Sequence, residues 1–345
     1  RAKRTNYWQT YNEIAMERDG MRARVVVDDD DINETGQQKQ RAASVTTDKF
    51  WVASTKMAAK DEEEDEDEDT NVIALPDHPF VPIFDLKRHE DLTIHAADLE
   101  PYVYDETLIH KLVLPKETTF VVRALIANSN NLKEDVILGK TGGTVVIATG
   151  LPGTGKTLTA EVMAEVAQRP LYEVQCAQLG IEVDELEKKL GAILTRATRW
   201  GAVLVVNEAD VYIRARGDDI TQNAIVGVWL RLLEYYRGIL FLTSNRSTII
   251  DDAVLQRATA WIRYDEPTRK DQRQIWEILA KQYDVRLTDD VIDQLQAKWP
   301  HATGRNIKAI LKLSGALSTD PDAPKGFALF EMAAHFLDIN GVERR

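Results

Sequence analysis

The sequence predicts an α/β fold: a P-loop parallel-sheet core, a C-terminal helical lid behind it and a β-rich accessory domain in front. Three observations carry this. Between about Glu106 and Pro267, short β-branched runs alternate with helical patterns of 3.6-residue period. After Pro267 the pattern is helical only. Between the two sides of one such alternation stands Gly150-Leu-Pro-Gly-Thr-Gly-Lys-Thr157, at the end of an apolar run and the start of a helix. Apolar runs with no polar alternation belong to strands buried on both faces, the condition of a parallel sheet.

From the N-terminus, Arg24–Val27 reads as a short strand, and Phe80–Phe84 and Leu92–His95 follow Pro-marked turns as two more. Residues 1–105 are therefore expected to be the accessory domain. Within it, nine consecutive acids run from Asp61 to Asp69, so residues 61–70 are expected as a solvated loop, because like charges in a block repel and cannot pack. The aromatic pairs Tyr7/Trp8 and Phe50/Trp51 are expected in that domain's core rather than as base-stacking platforms. Residues 106–267 are the expected α/β domain, with strands at Thr144–Ala148, Leu171–Val174, Val203–Val206 and Ile239–Leu242. Its helices are expected from Lys156, over Val183–Arg199, over Gln222–Tyr236 and over Asp251–Arg257. Residues 268–345 are the expected lid, with helices over Lys270–Tyr283, Asp289–Lys298, Gly304–Leu317 and Phe327–Leu337. Ile275, Leu279 and Tyr283 illustrate the i, i+4 apolar spacing that would bury one face of each.

Composition narrows the function. The 345 residues carry a formal charge of −13, but the nine-acid run supplies most of it and the rest sums to −4. No global basic footprint for nucleic acid exists. One cysteine, Cys176, excludes an internal disulfide and reads as a packed small hydrophobe. The six histidines show no metal-ligand spacing, so a zinc site is not expected. No apolar run approaches a membrane span, and Arg1–Gln9 has no apolar stretch of the signal-peptide kind. A cytoplasmic protein is the expectation.

The motif at 150–157 matches G-x-x-x-x-G-K-[ST] in the setting that gives it a mechanism, between strand and helix. Glycines let the backbone turn tightly and aim N–H groups at phosphate oxygens, and the helix N-terminus adds favourable partial charge. Gly150, Pro152, Gly153, Thr154, Gly155, Lys156, Thr157 and Leu158 are the expected nucleotide-binding residues. Lys156 would reach the β- and γ-phosphates of ATP, and the Thr157 hydroxyl would ligate Mg²⁺.

A second strand, Ala202 to Asn207, ends in Asn207-Glu208-Ala-Asp210. Glu208 is placed to act as general base on water. The residue expected to share the Mg²⁺ shell with Thr157 is Asn207, where an aspartate is expected; an amide brings no charge to a divalent ion. Asn207 is either a natural departure or a substitution that blocks turnover, and in both cases ATP hydrolysis is expected to be poor. Asn245, at the end of Ile239–Leu242, is a candidate for orienting the water or touching the γ-phosphate; alone, such a residue more often marks a turn.

With GLPGTGKTLTAE, VVNEADVYI, GILFLTSNR, a helix ending LQR and a helical segment opening TGRNIK, residues 105–340 resemble an AAA+ ATPase. FDLKRH and LEPYVYDETLIHKLVLP resemble the region before the core in poorly characterised microbial members. The resemblance implies Walker A at Gly150, Gly155, Lys156 and Thr157, and Walker B at Asn207 and Glu208, the first a departure from the family's Asp. It further implies sensor 1 at Asn245, an arginine finger at Arg257 and sensor 2 at Arg305. An arginine finger acts on a neighbour's γ-phosphate, so a homo-oligomeric ring, expected as a hexamer, is implied. Read without the family, Arg257 is a surface cation at a helix C-terminus and Arg305 a first-turn surface residue.

The resemblance thus implies an enzyme that binds ATP and ADP and uses Mg-ATP turnover to remodel a protein, or protein–nucleic acid, partner chosen by the N-terminal domain. Two alternatives stand beside it: a hydrolysis-deficient, nucleotide-dependent scaffold, and a nucleic-acid motor or loader. Threading relatives carry an aromatic in the loop after the second strand, where Leu179-Gly180-Ile181-Glu182 has none. The loop Arg214-Ala-Arg216-Gly-Asp-Asp219 could meet nucleic acid or acidic protein, but such loops are more often solvated or make subunit contacts.

Overall fold

In a computed structural model, the structure describes residues 13–18, 21–28, 80–128, 143–245, 250–320 and 322–339. The acidic run and the aromatic pairs at 7–8 and 50–51 lie outside the described residues.

Strands β1 (Glu13–Arg18), β2 (Met21–Val27), β3 (Phe80–Asp85), β4 (Glu90–His95) and β5 (Leu99–Pro101) form an antiparallel sheet of order β4-β3-β2-β1-β5. Side chains alternate across its faces. Val25 and Ile83 join Ile14 and Met16 in one small core. Val26 and Phe84 turn the other way, into the large core below.

After a 3₁₀ turn at Glu106–Lys111, helix α1 (Lys116–Asn128) leads to the second sheet. Strands β6 (Thr144–Gly150), β7 (Leu171–Gln175), β8 (Val203–Asn207), β9 (Ile239–Ser244) and β10 (Ala260–Tyr264) run parallel in the order β10-β6-β9-β8-β7. Both faces of this sheet are covered, as the apolar runs require. Val203 and Val205 pack on one side with Ala160, Met163 and Ala164 of α2 (Lys156–Val166). Leu204 and Val206 pack on the other, with α4 (Val183–Arg199) and α6 (Ile220–Tyr235). Short helices α3 (Cys176–Leu179), α5 (Asp210–Ile213) and α7 (Asp252–Arg257) sit at strand ends.

Helices α8 (Arg269–Gln282), α9 (Asp289–Lys298), α10 (Gly304–Leu317) and α11 (Phe327–Phe336) bury a separate core around Trp276, Leu295, Ile307, Leu311 and Phe330. Thr268 caps α8 reciprocally with Asp271. The α/β core and helical C-terminal region are as the sequence predicts, with differences at β10, at α1, at the short helices α3 and α5 and at the start of α6. Strand β10 and helix α1 carry no expectation, because Arg263 interrupts an apolar run and Lys116–Thr119 opens α1 with polar residues. Helix α6 begins at Ile220 rather than Gln222, because Asp219 accepts from the N–H groups of Thr221 and Gln222.

The first sheet is not set apart from the second. Phe84 packs against Trp200, tilted, at 5.1 Å and against Tyr172, edge to face, at 5.8 Å between ring centroids. Buried Asp28 receives Arg199, and Arg196 Nε lies 3.7 Å from it. Glu165, near the end of α2, gathers Arg24 at 2.9 Å, the Tyr102 hydroxyl at 2.8 Å and the Asp105 N–H at 3.0 Å. The helix that starts at the phosphate loop is thus tied at its far end to the N-terminal sheet. Among the described residues no helix is long and apolar enough to cross a membrane.

Candidate nucleotide site

The site grows from the C-terminal ends of β6, β7, β8 and β9, where a doubly wound sheet leaves a crevice. A cavity of about 1060 Å³ opens there, between the loop at 152–158, the strand tips and the first turn of α10.

The loop needs its glycines. Gly150 has φ of +146°, and a Cβ there would come within 2.1 Å of the Tyr264 carbonyl oxygen on β10. Gly153 has φ of +81°, and a Cβ there would lie 2.6 Å from Arg305 Cβ, so the loop and α10 touch at this point. The Arg305 N–H also reaches the Gly153 carbonyl, at 3.4 Å. Thr154 closes the turn by donating to the Leu151 carbonyl at 2.8 Å. Lys156 is buried, and its ammonium donates to the carbonyls of Gly150 and Leu151, both at 2.8 Å. Burial lowers its pKa, with Arg305 adding to the effect and Asp210 and Glu208 opposing it. Pro152, Leu158 and Arg305 line the cavity with the rest of the loop.

At the end of β8, the buried Asn207 is held on three sides. Its Oδ1 accepts from the hydroxyls of Thr157 and Thr243, each at 3.0 Å, and its Nδ2 donates to Glu173 Oε1. Glu208 follows in the left-handed region, φ +56°, a conformation costly for a non-glycine residue and concentrated at functional sites. Its N–H donates to Thr243 Oγ1 at 3.2 Å, and it lines the cavity. Asn245 lines it too. The Ser244 hydroxyl donates to Asp210.

The structure therefore brings Pro152 to Leu158, Asn207, Glu208, Asn245 and Arg305 to one cavity, while Gly150 shapes the loop from the strand below. Arg257 is elsewhere: at the end of α7 it donates to the Ala253 carbonyl at 3.1 Å and lies 3.8 Å from Glu234. It does not line the cavity. The loop arginines are also unequal. Arg216 is engaged, donating through its N–H and Nε to Asp251 at 3.3 and 2.8 Å, whereas Arg214 is exposed. Burial pushes the Asp251 carboxyl up, but hydrogen bonds from Arg216 and the Ala253 N–H outweigh it and hold its pKa low. Half-buried Cys176 has its thiol pushed up to about 11 by burial, as an inert packed cysteine should.

Three contributors escaped the sequence. Thr243 looks like a strand residue until β9 sets it beside β8. Glu173 sits mid-strand on β7, where no motif marks it. Glu161, one helical turn beyond Thr157, also lines the cavity; burial and the nearby Glu173 raise its pKa, with Lys308 and Arg24 opposing. The donors around Asn207 are all oxygen or amide groups, with no thiol or imidazole in the cavity lining, a set suited to a hard divalent cation.

A parallel sheet, a glycine loop opening a helix and acidic residues at the adjacent strand tips define the P-loop nucleotide-binding class. Within that class, residues 146–265 match the family model "ATPase family associated with various cellular activities (AAA)", so this segment is similar to AAA ATPase domains. The chain is 29% identical over 189 residues to an ATP-dependent zinc metalloprotease FtsH 2 of Sphaerobacter thermophilus, covering 50% of this chain and 28% of that protein. It is 27% identical over 272 residues to Protein CdcH of Halobacterium salinarum, covering 71% and 36%. The chain thus spans about a third or less of the length of these curated relatives. Among solved structures, the FIGL-1 AAA domain superposes with a TM-score of 0.52 at 16% identity, covering 68% of this chain and 84% of that one. The same domain in complex with ADP gives 0.50.

Proposed function

We propose that the chain is a ring-forming, Mg-ATP-dependent AAA+ ATPase that remodels a protein partner selected by its N-terminal segment. The observation that carries this is the convergence of Lys156, Thr157, Glu208, Asn245 and Arg305 on one cavity while Arg257 stands outside it. In this reading residues 1–105 recruit, 106–267 form the ATPase domain and 268–345 form the lid.

The phosphates lie against the backbone N–H groups of 153–157, with Lys156 neutralising β- and γ-oxygens. The base lies on the apolar wall formed by Val113, Leu114, Pro115 and Ile278, which line the same cavity. Thr157 and the Asn207 side chain would hold Mg²⁺, which would supply charge neutralisation on the phosphates. Glu208 accepts the proton of the attacking water. Asn245 orients that water, and Arg305 lets α10 sense the γ-phosphate. Arg257 serves the next subunit's nucleotide, which makes a ring, of six subunits in this proposal, the working unit. Ile181, exposed in the loop after α3, is the apolar group there available to grip a substrate chain. Taken alone, Asn207 lowers turnover, because an amide offers the ion no charge.

A second reading, favoured by Asn207 itself, is a scaffold that assembles on ATP and turns over negligibly. A nucleic-acid motor is less supported, since Arg216 is committed to Asp251. Subunit mixing tests the proposal. Arg257→Ala and Glu208→Gln chains, each inactive alone, should regain ATPase activity when mixed, because a ring can combine an intact base with an intact finger. Turnover by a monomer that is indifferent to Arg257→Ala overturns it. Nucleotide-dependent assembly without turnover favours the scaffold.

A further inference from the structure

We propose that Glu173, one strand away from the expected position, supplies the divalent ion with the negative charge that Asn207 lacks. This rests on the nucleotide-binding reading of the cavity and concerns how that site is charged.

The backbone places Glu173 where such a role is possible. Side chains on β7 alternate, so Tyr172 and Val174 enter the core on the α4 side. Leu171 packs toward α2, and Glu173 and Gln175 share its face. In register, Glu173 lies opposite Val205 and Gln175 opposite Asn207. Glu173 is partly buried on the edge strand β7, and even a partly buried carboxylate is costly unless something compensates its charge. Among the described residues Glu173 makes no ion pair; its hydrogen bonds come from Asn207 Nδ2 and from Gln175 Nε2 at 3.3 Å. Both donors are neutral, so the carboxylate's charge is left to act on the cavity that Glu173 lines.

The Asn207 amide is oriented by its neighbours. A carboxylate only accepts, so Nδ2 must face Glu173, and Oδ1 then takes the Thr157 and Thr243 hydroxyl protons. The result is a continuous path from Thr157 through Asn207 to Glu173. An aspartate at 207 would set two carboxylates against each other along that path. Asparagine at 207 leaves the negative charge of this pair on Glu173 and adds no further carboxylate to a site that already holds Glu161, which feels Glu173, and Glu208. Asn207 is therefore half of an exchange in which the negative charge expected on β8 stands on β7, in contact with the Asn207 amide.

The test measures metal binding. Mn²⁺ is titrated by electron paramagnetic resonance into the full chain bound to an ATP analogue with nitrogen bridging the β- and γ-phosphates. Affinity for the analogue is measured separately without metal. Glu173→Gln should weaken Mn²⁺ binding about 10- to 100-fold, the range for outer-shell ligand partners, without lowering metal-free affinity for the analogue, since losing a carboxylate relieves repulsion with its phosphates. Asn207→Asp in the Glu173→Gln background should restore Mn²⁺ binding, because the charge returns to the path. Unchanged Mn²⁺ binding in Glu173→Gln, or an equal loss of metal-free affinity, overturns the proposal and leaves the nucleotide site standing. Absence of analogue binding by the unaltered chain overturns the nucleotide-binding reading and the proposal with it.

Discussion

The phosphate loop and the tip of β8 face the same cavity but are assembled differently. The loop is mostly local: Gly150 to Thr157 lie in one contiguous stretch, and its internal hydrogen bonds, Lys156 to Gly150 and Leu151 and Thr154 to Leu151, span six residues or fewer, although β10 and α10 press on Gly150 and Gly153. The tip of β8 is distributed. Asn207 depends on Thr157, 50 residues away, on Glu173, 34 away, and on Thr243, 36 away. A local motif tolerates little change because the turn geometry fixes every residue. A distributed one can exchange charge between strands while the cavity stays the same. That difference explains how the loop matches its pattern in full while the strand beside it departs from the expected aspartate.

Perturbing each side separately sharpens the contrast. The largest effect should come from the distributed side. Glu208→Gln removes the base and should lower ATP turnover about 10³-fold, with ATP affinity within about twofold of the unaltered chain by calorimetry. On the local side, Lys156→Ala deletes charge-assisted hydrogen bonds to phosphate and should weaken ATP binding about 100-fold. Burial lowers the Lys156 pKa, so in the unaltered chain ATP affinity should begin falling with rising pH below 10.5, as the ammonium loses its proton. Gly153→Ala should cost about 10-fold in ATP affinity, because it strains a φ of +81° and presses on Arg305. The smallest effect is expected at Thr243→Val, which removes one donor to Asn207 and the acceptor of the Glu208 N–H. A loss of about 1 kcal/mol in urea unfolding and a few-fold drop in turnover should follow. If Thr243→Val abolished turnover while Glu208→Gln did little, the roles given to the strand tips would be reversed.

The same contrast governs what the sequence made legible. The parallel sheet was readable because Val203–Val206 and Ile239–Leu242 are apolar on both faces, and α9 and α10 because their apolar spacing is regular. The phosphate loop was readable because its chemistry is contiguous. Strand β10 was not, since Arg263, its guanidinium 4.0 Å over the Trp261 ring, breaks the apolar run. The bond between the two sheets was also hidden: Asp28 meets Arg199 across 171 residues, and nothing local in either segment announces it. Glu173 was invisible for the same reason. A glutamate in a five-residue strand becomes part of a site only after the register sets β7 against β8.

Calorimetric titration of ATP into the unaltered chain, with and without Mg²⁺ and alongside Lys156→Ala, tests the nucleotide site most directly. Saturable binding that Mg²⁺ strengthens and Lys156→Ala weakens about 100-fold is expected. Binding that is absent, or present but indifferent to Lys156→Ala, would contradict it.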